Sequence, residues 1–390
     1  MKVGDIVEVE IERVVPGGAG LAHADGKTIF VSLTAPGDHL RARVESIKGK
    51  VAFASIVEIV AAGAERVEPL CPYFGRCGGC DFQQLSYEAQ LQAKIEIIRD
   101  CLRRIARLEA PAEIPITPSP EIWRYRSRAR WQHDADRQHL GYYELASHRV
   151  CDVVECPVVV PEVQESLSHL RARMREGLLP AAAEEFQAVA GDGGGVSLRP
   201  TIGPHPPGEQ FRDIGGERYH FDAECFFQIN HALLEPLVRE ALKDAGGESA
   251  LDLYCGVGLF TLPLARRFAN VTGVEGNASA CHHARRNLDH AGLANARIIS
   301  ARVGEWFTRR PSAPVDFVLL DPPRAGAEAA TIDSIIAAHP RRIAYVSCDP
   351  ATLARDLKQL IAAGFRFDSL AAFDLFPQTH HVETVVRLSC

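Results

Sequence analysis

The sequence lacks the features of a secreted or membrane-spanning chain. Residues 1–10 alternate apolar and charged side chains, whereas a signal peptide needs a basic stretch followed by an apolar block. No uninterrupted apolar run is long enough to span a bilayer. We therefore expect a cytoplasmic protein that does not associate with membranes.

An excess of positive charge is also missing. Lys and Arg number 43 against 50 Asp and Glu, which gives a formal net charge of −7. This average does not exclude nucleic-acid binding, because phosphate contacts need only a local basic surface. No internal repeat is visible. A chain of 390 residues with 46% hydrophobic content predicts two or three globular units with sizeable cores.

Eleven cysteines in a chain of this kind argue against a disulfide framework and for metal binding or thiol chemistry. Cys71, Cys77 and Cys80 are closely spaced, and Cys156 far downstream could complete a set of four thiolates. Cys151 is a rival for the fourth position. The spacing fits a zinc ion and an iron–sulfur cluster equally, since four thiolates can hold either. Of the other cysteines, those interpreted as core or surface thiols are Cys101, Cys225, Cys255, Cys281 and Cys390.

Changes in pattern along the chain predict three units. Short apolar runs separated by glycine and proline turns predict a small β-barrel over residues 1–62. Residues 66–220 predict a mixed α+β central unit, with a helix over 87–108 and strands between 124 and 159. Residues 191–195 and 202–216 are rich in glycine and turn residues, so we expect no regular structure there. From 221 to 390, apolar runs alternate with helical segments, which predicts an α/β unit with a doubly wound, Rossmann-like parallel sheet.

The first predicted strand of this last unit leads into a candidate cofactor site. The predicted strand 251–254 ends in a loop with Gly256 and Gly258, where a ligand can approach the backbone closely. Glu275 ends the next strand, where a carboxylate can accept both ribose hydroxyls of a nucleoside. No third glycine follows at the spacing of dinucleotide-binding loops, which favours S-adenosylmethionine over NAD. Asp321 ends a later strand in an Asp-Pro-Pro sequence, at the sheet edge where such ligands bind.

Cys348 ends the following predicted strand and is a candidate nucleophile. Asp349 and Pro350 predict an N-cap and first turn, and the dipole of that helix is expected to favour the thiolate. Carbon 5 of a pyrimidine is a poor nucleophile unless a thiolate first adds at carbon 6. A base must then remove the carbon 5 proton, and Glu383, a charged residue entering an apolar strand, is the best candidate. His380 and His381 are alternatives.

A row of arginines provides the local basic surface. Arg124, Arg126, Arg128 and Arg130 alternate along a predicted strand, so that one face would present guanidinium groups near aromatic side chains. Such a face suits phosphate contact and base stacking. The alternative is a solvated strand face whose arginines are paired with acidic residues.

Taken together, these motifs resemble the RNA 5-methyluridine methyltransferase family across nearly the whole chain. The resemblance implies a TRAM barrel, a central domain with a four-iron, four-sulfur cluster on Cys71, Cys77, Cys80 and Cys156, and a methyltransferase domain. In the family pattern the Cys-Pro step at Cys156 matches, whereas Cys151 does not. The cluster is then expected to be structural, because methyl transfer moves no electrons, and a redox sensor is the alternative.

The same resemblance implies roles for residues around the cofactor. Gln228 would lie at the cofactor and target uracil, and Phe226 would stack on the base. Tyr254, Glu275 and Asp321 would contact the cofactor or the base. One position departs from the pattern, since Leu259 stands where relatives commonly have an asparagine that touches the cofactor.

Two other functions remain open from the sequence. An exocyclic-amino RNA methyltransferase would position an amine at the Asp-Pro-Pro motif without a covalent thiol. A catalytically silent RNA-binding iron–sulfur protein would keep the fold but not bind the methyl donor. We expect a monomer that acts on ribosomal or transfer RNA, and the sequence does not distinguish these two targets.

Overall fold

The barrel at the start of the chain is a six-stranded sheet. The computed structural model describes residues 1–180, 182–202, 208–309 and 315–390. Alternation builds this sheet: Leu40, Ala42 and Val44 are buried, whereas Arg41 and Arg43 between them are exposed. The β structure predicted from the short apolar runs is confirmed. In sheet order β1-β5-β6-β4-β3-β2, the strands are β1 (Ile6–Glu10), β2 (Arg13–Val14), β3 (Gly20–Ala24), β4 (Lys27–Val31), β5 (His39–Lys48) and β6 (Val51–Ala61).

The central region combines two helices with an antiparallel sheet of order β10-β9-β8-β11-β12. The predicted helix begins where expected, with Ser86 accepting a hydrogen bond from the Ala89 amide as N-cap. Its α-helical part ends at Cys101, and a π-helical turn follows over Leu102–Ala106. The elements are α1 (Tyr87–Cys101), β7 (Ile116–Thr117), β8 (Arg128–Asp134), β9 (His139–Tyr143), β10 (Val150–Asp152), α2 (Pro161–Arg175), β11 (Glu185–Ala190) and β12 (Val196–Arg199).

Two expectations for this region were wrong. The strand predicted from residue 124 begins at Arg128, so Arg124 and Arg126 precede it. Regular structure is present within 202–216, because β13 (Gln210–Ile214) pairs with β14 (Glu217–Phe221) as a hairpin. Residues 203–207 of that segment lie outside the described residues. Residues 191–195 form a loop as predicted.

The C-terminal unit is an eight-stranded sheet of order β17-β16-β15-β18-β19-β21-β20-β7. The first five strands are parallel and β21 is antiparallel to both neighbours, which confirms the predicted Rossmann-like α/β class. Its elements are α3 (Leu234–Ala241), β15 (Gly247–Leu253), α4 (Thr261–Ala265), β16 (Phe268–Glu275), α5 (Ala278–His290), β17 (Ala296–Ser300), α6 (Val303–Arg309), β18 (Phe317–Leu320), α7 (Ala329–Ala338), β19 (Arg342–Ser347), α8 (Pro350–Ala362), β20 (Arg366–Phe373) and β21 (Glu383–Ser389).

Residues 82–117 pack on this sheet although they come long before it in sequence. Phe82 and Ile98 share one hydrophobic core with Leu353 of α8, and β7 pairs with β20 at the sheet edge. The C-terminal unit therefore includes a segment from within residues 66–220. Among the helices that the structure describes, none is both long and apolar enough to cross a bilayer.

Candidate active site and cysteine site

The loop after β15 has the backbone that a ligand-binding turn requires. Tyr254, Gly256 and Gly258 have φ values of 64°, 54° and 95°, a region that glycine adopts readily and tyrosine seldom. A Cβ at Gly256 would meet no atom within 4 Å, so this face of the loop is open. The Glu275 carboxylate accepts hydrogen bonds from the Gly256 amide at 3.0 Å and the Asn277 amide at 2.7 Å. Glu275 thus ties the glycine loop to the end of β16.

Asp321 and Gln228 face each other across the sheet edge. Asp321 follows β18, and Gln228 Nε2 donates to Asp321 Oδ2 at 3.4 Å. Burial raises the pKa of Asp321 to about 7, although the Gln228 hydrogen bond opposes that shift. Tyr254 points its hydroxyl towards Thr331 of α7, with 3.5 Å between the two oxygens. The buried Leu259 side chain belongs to the hydrophobic core.

Cys348 lies between β19 and α8, as predicted. Asp349 caps α8 by accepting hydrogen bonds from the amides of Ala351 and Thr352, and Pro350 occupies the first turn. The expected thiolate is not favoured, however. Burial raises the pKa of Cys348 to about 12, and the charges of Glu383 and Asp321 add to that shift. Burial and the neighbouring carboxylates therefore oppose the effect expected of the helix dipole.

Glu383 is the first residue of β21 and is almost completely buried. Only 1% of its surface is exposed, and its Oε1 has no hydrogen-bond partner among the described residues. Burial, together with the charge of Asp321, raises its pKa well above the usual range, and the exposed Arg324 opposes this. The charges of Asp321 and Glu383 both act on the Cys348 thiol. A thiol and two carboxyl groups of shifted pKa at one sheet edge can support nucleophilic and proton-transfer chemistry.

The two histidines are poorer candidates for the base. Burial and the neighbouring His380 lower the pKa of His381 to about 2, so this imidazole binds a proton very weakly. His380 is already engaged, since its ring Nδ1 contacts the Asp81 carboxylate. The environment of Glu383 suits proton transfer better than either imidazole does.

Cys71, Cys77, Cys80 and Cys156 line a single pocket. Arg126 and Tyr142 also line it. The Gly79 amide donates to Cys77 Sγ at 3.4 Å. Burial raises the pKa of Cys77 and of Cys80 to about 12. The rival Cys151 lies in β10, where its sulfur accepts a hydrogen bond from Arg76 Nε at 3.2 Å.

The arginine row does not form a single free face. Arg126 Nε donates to the Arg128 carbonyl, and the Arg128 guanidinium donates to the carbonyls of Ala223 and Cys225. Arg130 pairs with Glu185. Arg124 is exposed. The alternation was predictable from the sequence but the partners were not, because they come from distant segments.

Sequence reasoning also missed polar groups near the glycine loop. Asp252 in β15 is fully buried, and burial raises its pKa to about 8. Like Glu383, Asp252 is a charged residue within an apolar strand, and this pattern could have identified it as a candidate. Asp222, Cys225 and His283 place ligand atoms within 4.8 Å of one another, a spacing that could hold a metal ion.

Comparison with known proteins agrees with this geometry. Residues 212–390 match the family described as tRNA (Uracil-5-)-methyltransferase, and residues 1–57 match the TRAM domain. An uncharacterized RNA methyltransferase of Thermosynechococcus vestitus is 33% identical over 99% of this chain and 98% of that protein. The 23S rRNA (uracil(1939)-C(5))-methyltransferase of Vibrio vulnificus is 31% identical over 97% of this chain and 95% of that protein.

A solved structure extends the similarity to the fold. The tRNA (uracil-54, C5)-methyltransferase of Pyrococcus abyssi, in complex with S-adenosyl-L-homocysteine, superposes with a TM-score of 0.76 at 26% identity. The match covers 97% of this chain and all of that one. The chain therefore belongs to the TRAM-containing family of RNA uracil-C5 methyltransferases, enzymes of class EC 2.1.1.

Proposed function

We propose that this enzyme forms 5-methyluridine in ribosomal or transfer RNA, with S-adenosyl-L-methionine as methyl donor, Cys348 as covalent nucleophile and Glu383 as base. The observation that carries the proposal is the grouping of Cys348, Asp321 and Glu383 at one sheet edge, where both carboxylates act on the thiol. An amino-group methyltransferase has no use for a thiol in that position. The relatives named above act on 23S rRNA and on tRNA, so both RNA classes remain substrates to test.

The cofactor would bind over the glycine loop. Open space at Gly256 admits the donor, and the half-exposed Glu275 carboxylate can accept hydrogen bonds from ribose hydroxyls in addition to those from the loop amides. Gln228, Tyr254 and Asp321 surround the same end of β15 and β18. S-adenosyl-L-homocysteine bound to the similar Pyrococcus abyssi enzyme supports this choice of cofactor.

The chemistry proceeds by addition, transfer and elimination. The Cys348 thiol loses its proton to solvent and its sulfur bonds to carbon 6 of uracil, and the displaced electron pair makes carbon 5 nucleophilic. Carbon 5 then takes the methyl group and S-adenosyl-L-homocysteine leaves. Glu383 removes the carbon 5 proton, the double bond to carbon 6 forms again, and the sulfur departs. The raised pKa of Glu383 makes its carboxylate a stronger base than an exposed glutamate.

The target base needs a surface on which to stack. Phe226 is 61% exposed, an unusual state for phenylalanine, and it lies two residues before Gln228. Single-stranded bases stack on such aromatic rings. We propose that Phe226 stacks on the uracil and that Arg124, with Arg126, Arg128 and Arg130, contributes positive potential along the RNA path.

The four cysteines fit an iron–sulfur cluster. Four thiolates can hold either a zinc ion or an iron–sulfur cluster. We favour a [4Fe-4S] cluster because the cysteine motif resembles that of the family, and the cluster would cross-link the 71–80 segment to Cys156.

Two polar groups in the pocket support the same assignment. Among the described residues, the buried Tyr142 hydroxyl has no hydrogen-bond partner that meets ordinary geometry, and Arg126 places positive charge near Cys80. A bound cluster with thiolate ligands would offer an acceptor to Tyr142 and negative charge to Arg126. The cluster's contribution is structural, and no step of methyl transfer passes through it.

The test is the product itself. Purified holoenzyme is incubated with labelled S-adenosyl-L-methionine and unmodified total RNA, and the labelled nucleosides are identified, with Cys348→Ala alongside. Labelled 5-methyluridine that disappears in the variant is the expected result. A labelled amino-methylated base that persists in Cys348→Ala would overturn the proposal.

A further inference from the structure

The segment that leads to Glu383 is held from outside the C-terminal sheet. Residues 376–381 connect β20 to β21, and their carbonyl groups accept hydrogen bonds from the first third of the chain. These bonds are Lys94 Nζ to Phe376 O at 3.0 Å, Tyr125 Oη to Pro377 O at 2.9 Å, and the amides of Asp81 and Phe82 to Gln378 O at 3.1 and 3.0 Å. The path of this segment, and so the start of β21, depends on these partners.

One hydrogen-bonded pair joins the cysteine segment to this connection. The Asp81 carboxylate accepts a hydrogen bond from the His380 amide at 2.8 Å through Oδ1, and its Oδ2 contacts His380 Nδ1. Asp81 follows Cys80 directly, and His380 precedes Glu383 by three residues. Two contacts from one carboxylate fix both the backbone and the ring of His380.

The barrel reaches the same pair through a glycine. Gly18, in the turn between β2 and β3, has a φ of +80°. A Cβ on Gly18 would lie 3.0 Å from His380 Cβ and 3.1 Å from Asp81 Oδ2, closer than side chains normally approach. The adjacent Gly17 has a φ of +91°, but a Cβ there would meet nothing within 4 Å. The absence of a side chain at Gly18 therefore lets the turn pack against the pair.

We propose that Asp81 and His380 are positioning residues for proton abstraction, with Gly18 packed behind them, so that barrel, cysteine segment and catalytic segment meet at one contact. This inference rests on the proposed role of Glu383 as the base. Neither residue touches the reacting atoms in this scheme. They act by fixing where β21 begins, and small displacements of a catalytic group have large effects on rate.

A specific kinetic signature separates positioning from general stabilisation. If Asp81→Ala displaces Glu383, addition and methyl transfer still occur but proton removal slows, so the covalent RNA–enzyme intermediate accumulates. We expect kcat to fall about 10- to 100-fold, the loss of a charge-assisted contact that orients a catalytic group. The KM for S-adenosyl-L-methionine should change less than about twofold, since β18 and β19 separate the strand of the glycine loop from β21.

The two adjacent glycines provide a matched pair. Both Gly17→Ala and Gly18→Ala place alanine at a positive φ, so their backbone strain is similar. Only the Gly18→Ala methyl group would press on Asp81 and His380. We expect Gly18→Ala to accumulate the intermediate and Gly17→Ala to behave like the unmodified enzyme. Equal effects of the two substitutions would contradict a specific contact.

The experiment runs holoenzyme variants with RNA and S-adenosyl-L-methionine and measures the RNA-linked protein by denaturing electrophoresis, with Glu383→Gln as reference. No adduct in Glu383→Gln would reject the base assignment itself. Adduct in Glu383→Gln but none in Asp81→Ala and Gly18→Ala, with kcat unchanged, would reject only the positioning role. If Asp81→Ala loses iron, His380→Ala removes the ring from outside the cysteine segment and decides the question by the same readout.

Discussion

The chain contains two thiol sites in which burial raises the thiol pKa values, but the charged groups around the thiols differ. Burial raises the pKa of Cys348 to about 12, and it raises those of Cys77 and Cys80 to about 12 as well. Around Cys348 the nearby charges are the carboxylates of Asp321 and Glu383, which disfavour the thiolate further. Around Cys80 they are other cysteines and Arg126.

The difference explains two uses of the same side chain. Thiols that burial keeps protonated, such as those of Cys77 and Cys80, become thiolates only if a cation compensates them, which makes that site suited to a permanent metal centre. The half-buried Cys348 thiol beside carboxylates stays protonated until a substrate arrives, which suits a transient covalent bond. The charged groups around a cysteine, more than its burial, therefore decide whether it holds a metal or attacks a base.

The largest effect should come from the catalytic thiol. Replacing its sulfur in Cys348→Ser should lower the methylation rate by about 10³-fold or more, because a hydroxyl is a far weaker nucleophile. The iron content should not change. Iron analysis and a methyl-transfer assay on the same preparation check this, with the exposed Cys390→Ser as control. Loss of iron in Cys348→Ser would mean that the two sites are not independent.

The opposite result is expected at the cysteine site. Cys77→Ser should weaken metal binding by more than about tenfold, since even second-shell changes cost that much. The buried Cys151→Ser should retain the metal, because its sulfur accepts a hydrogen bond from Arg76 and lies outside the proposed ligand set. Iron, sulfide and zinc per chain, with the visible absorbance, distinguish these outcomes. Iron loss in Cys151→Ser would mean that Cys151, and not Cys156, is the fourth thiolate ligand.

A pH-dependent contribution to stability is expected from Asp321 in the catalytic site. Asp321 has a folded pKa of about 7 against an ordinary value of 3.8, so the folded protein holds its proton more tightly and stability falls as pH rises between these values. Asp321→Asn cannot ionise and should be more stable than the unmodified enzyme above pH 7, by up to about 4 kcal/mol, but not below pH 4. Denaturant unfolding at both pH values measures this. A stabilisation equal at both would contradict the raised pKa.

The smallest effects should come from the two arginines. Arg324 lowers the pKa of Cys348 and of Glu383 from an exposed position, so Arg324→Met should slow adduct formation only about three- to tenfold. Arg126→Met should instead weaken the metal site and leave the chemical step of metal-loaded enzyme intact. Rapid-quench kinetics and iron content measure the two. A loss of iron in Arg324→Met, or slower adduct formation in metal-loaded Arg126→Met, would contradict the distinction between the sites.

The sequence predicted elements with strong local patterns. The strand β5 alternates apolar and charged residues, and the helix predicted over 87–108 begins at Tyr87 as expected. Strand β3, of sequence GLAHA, was missed because small residues give no clear alternation. Hairpin β13–β14 was missed because Gln210–Ile214 has polar residues at three of its five positions. In both cases tertiary pairing supplies what local propensity does not.

The candidate site was predictable where it depends on strand ends. Asp321 and Cys348 follow neighbouring parallel strands, so pattern alone places them at one edge. The direction in which the pKa of Cys348 shifts was not predictable. Glu383 contributes to that shift from β21, an antiparallel strand whose place beside β19 is not evident from local sequence. Contacts such as Asp81 with His380, 299 positions apart, leave no local signal at all.

The most direct test of the central claim is the fate of Glu383→Gln. The variant is mixed with RNA and S-adenosyl-L-methionine, and the intact mass of the RNA-linked protein is determined after nuclease digestion. We expect a stable adduct in which Cys348 carries a methylated uridine, because addition and methyl transfer precede proton removal. Full turnover by Glu383→Gln without any adduct would show that Glu383 is not the base and would contradict the account.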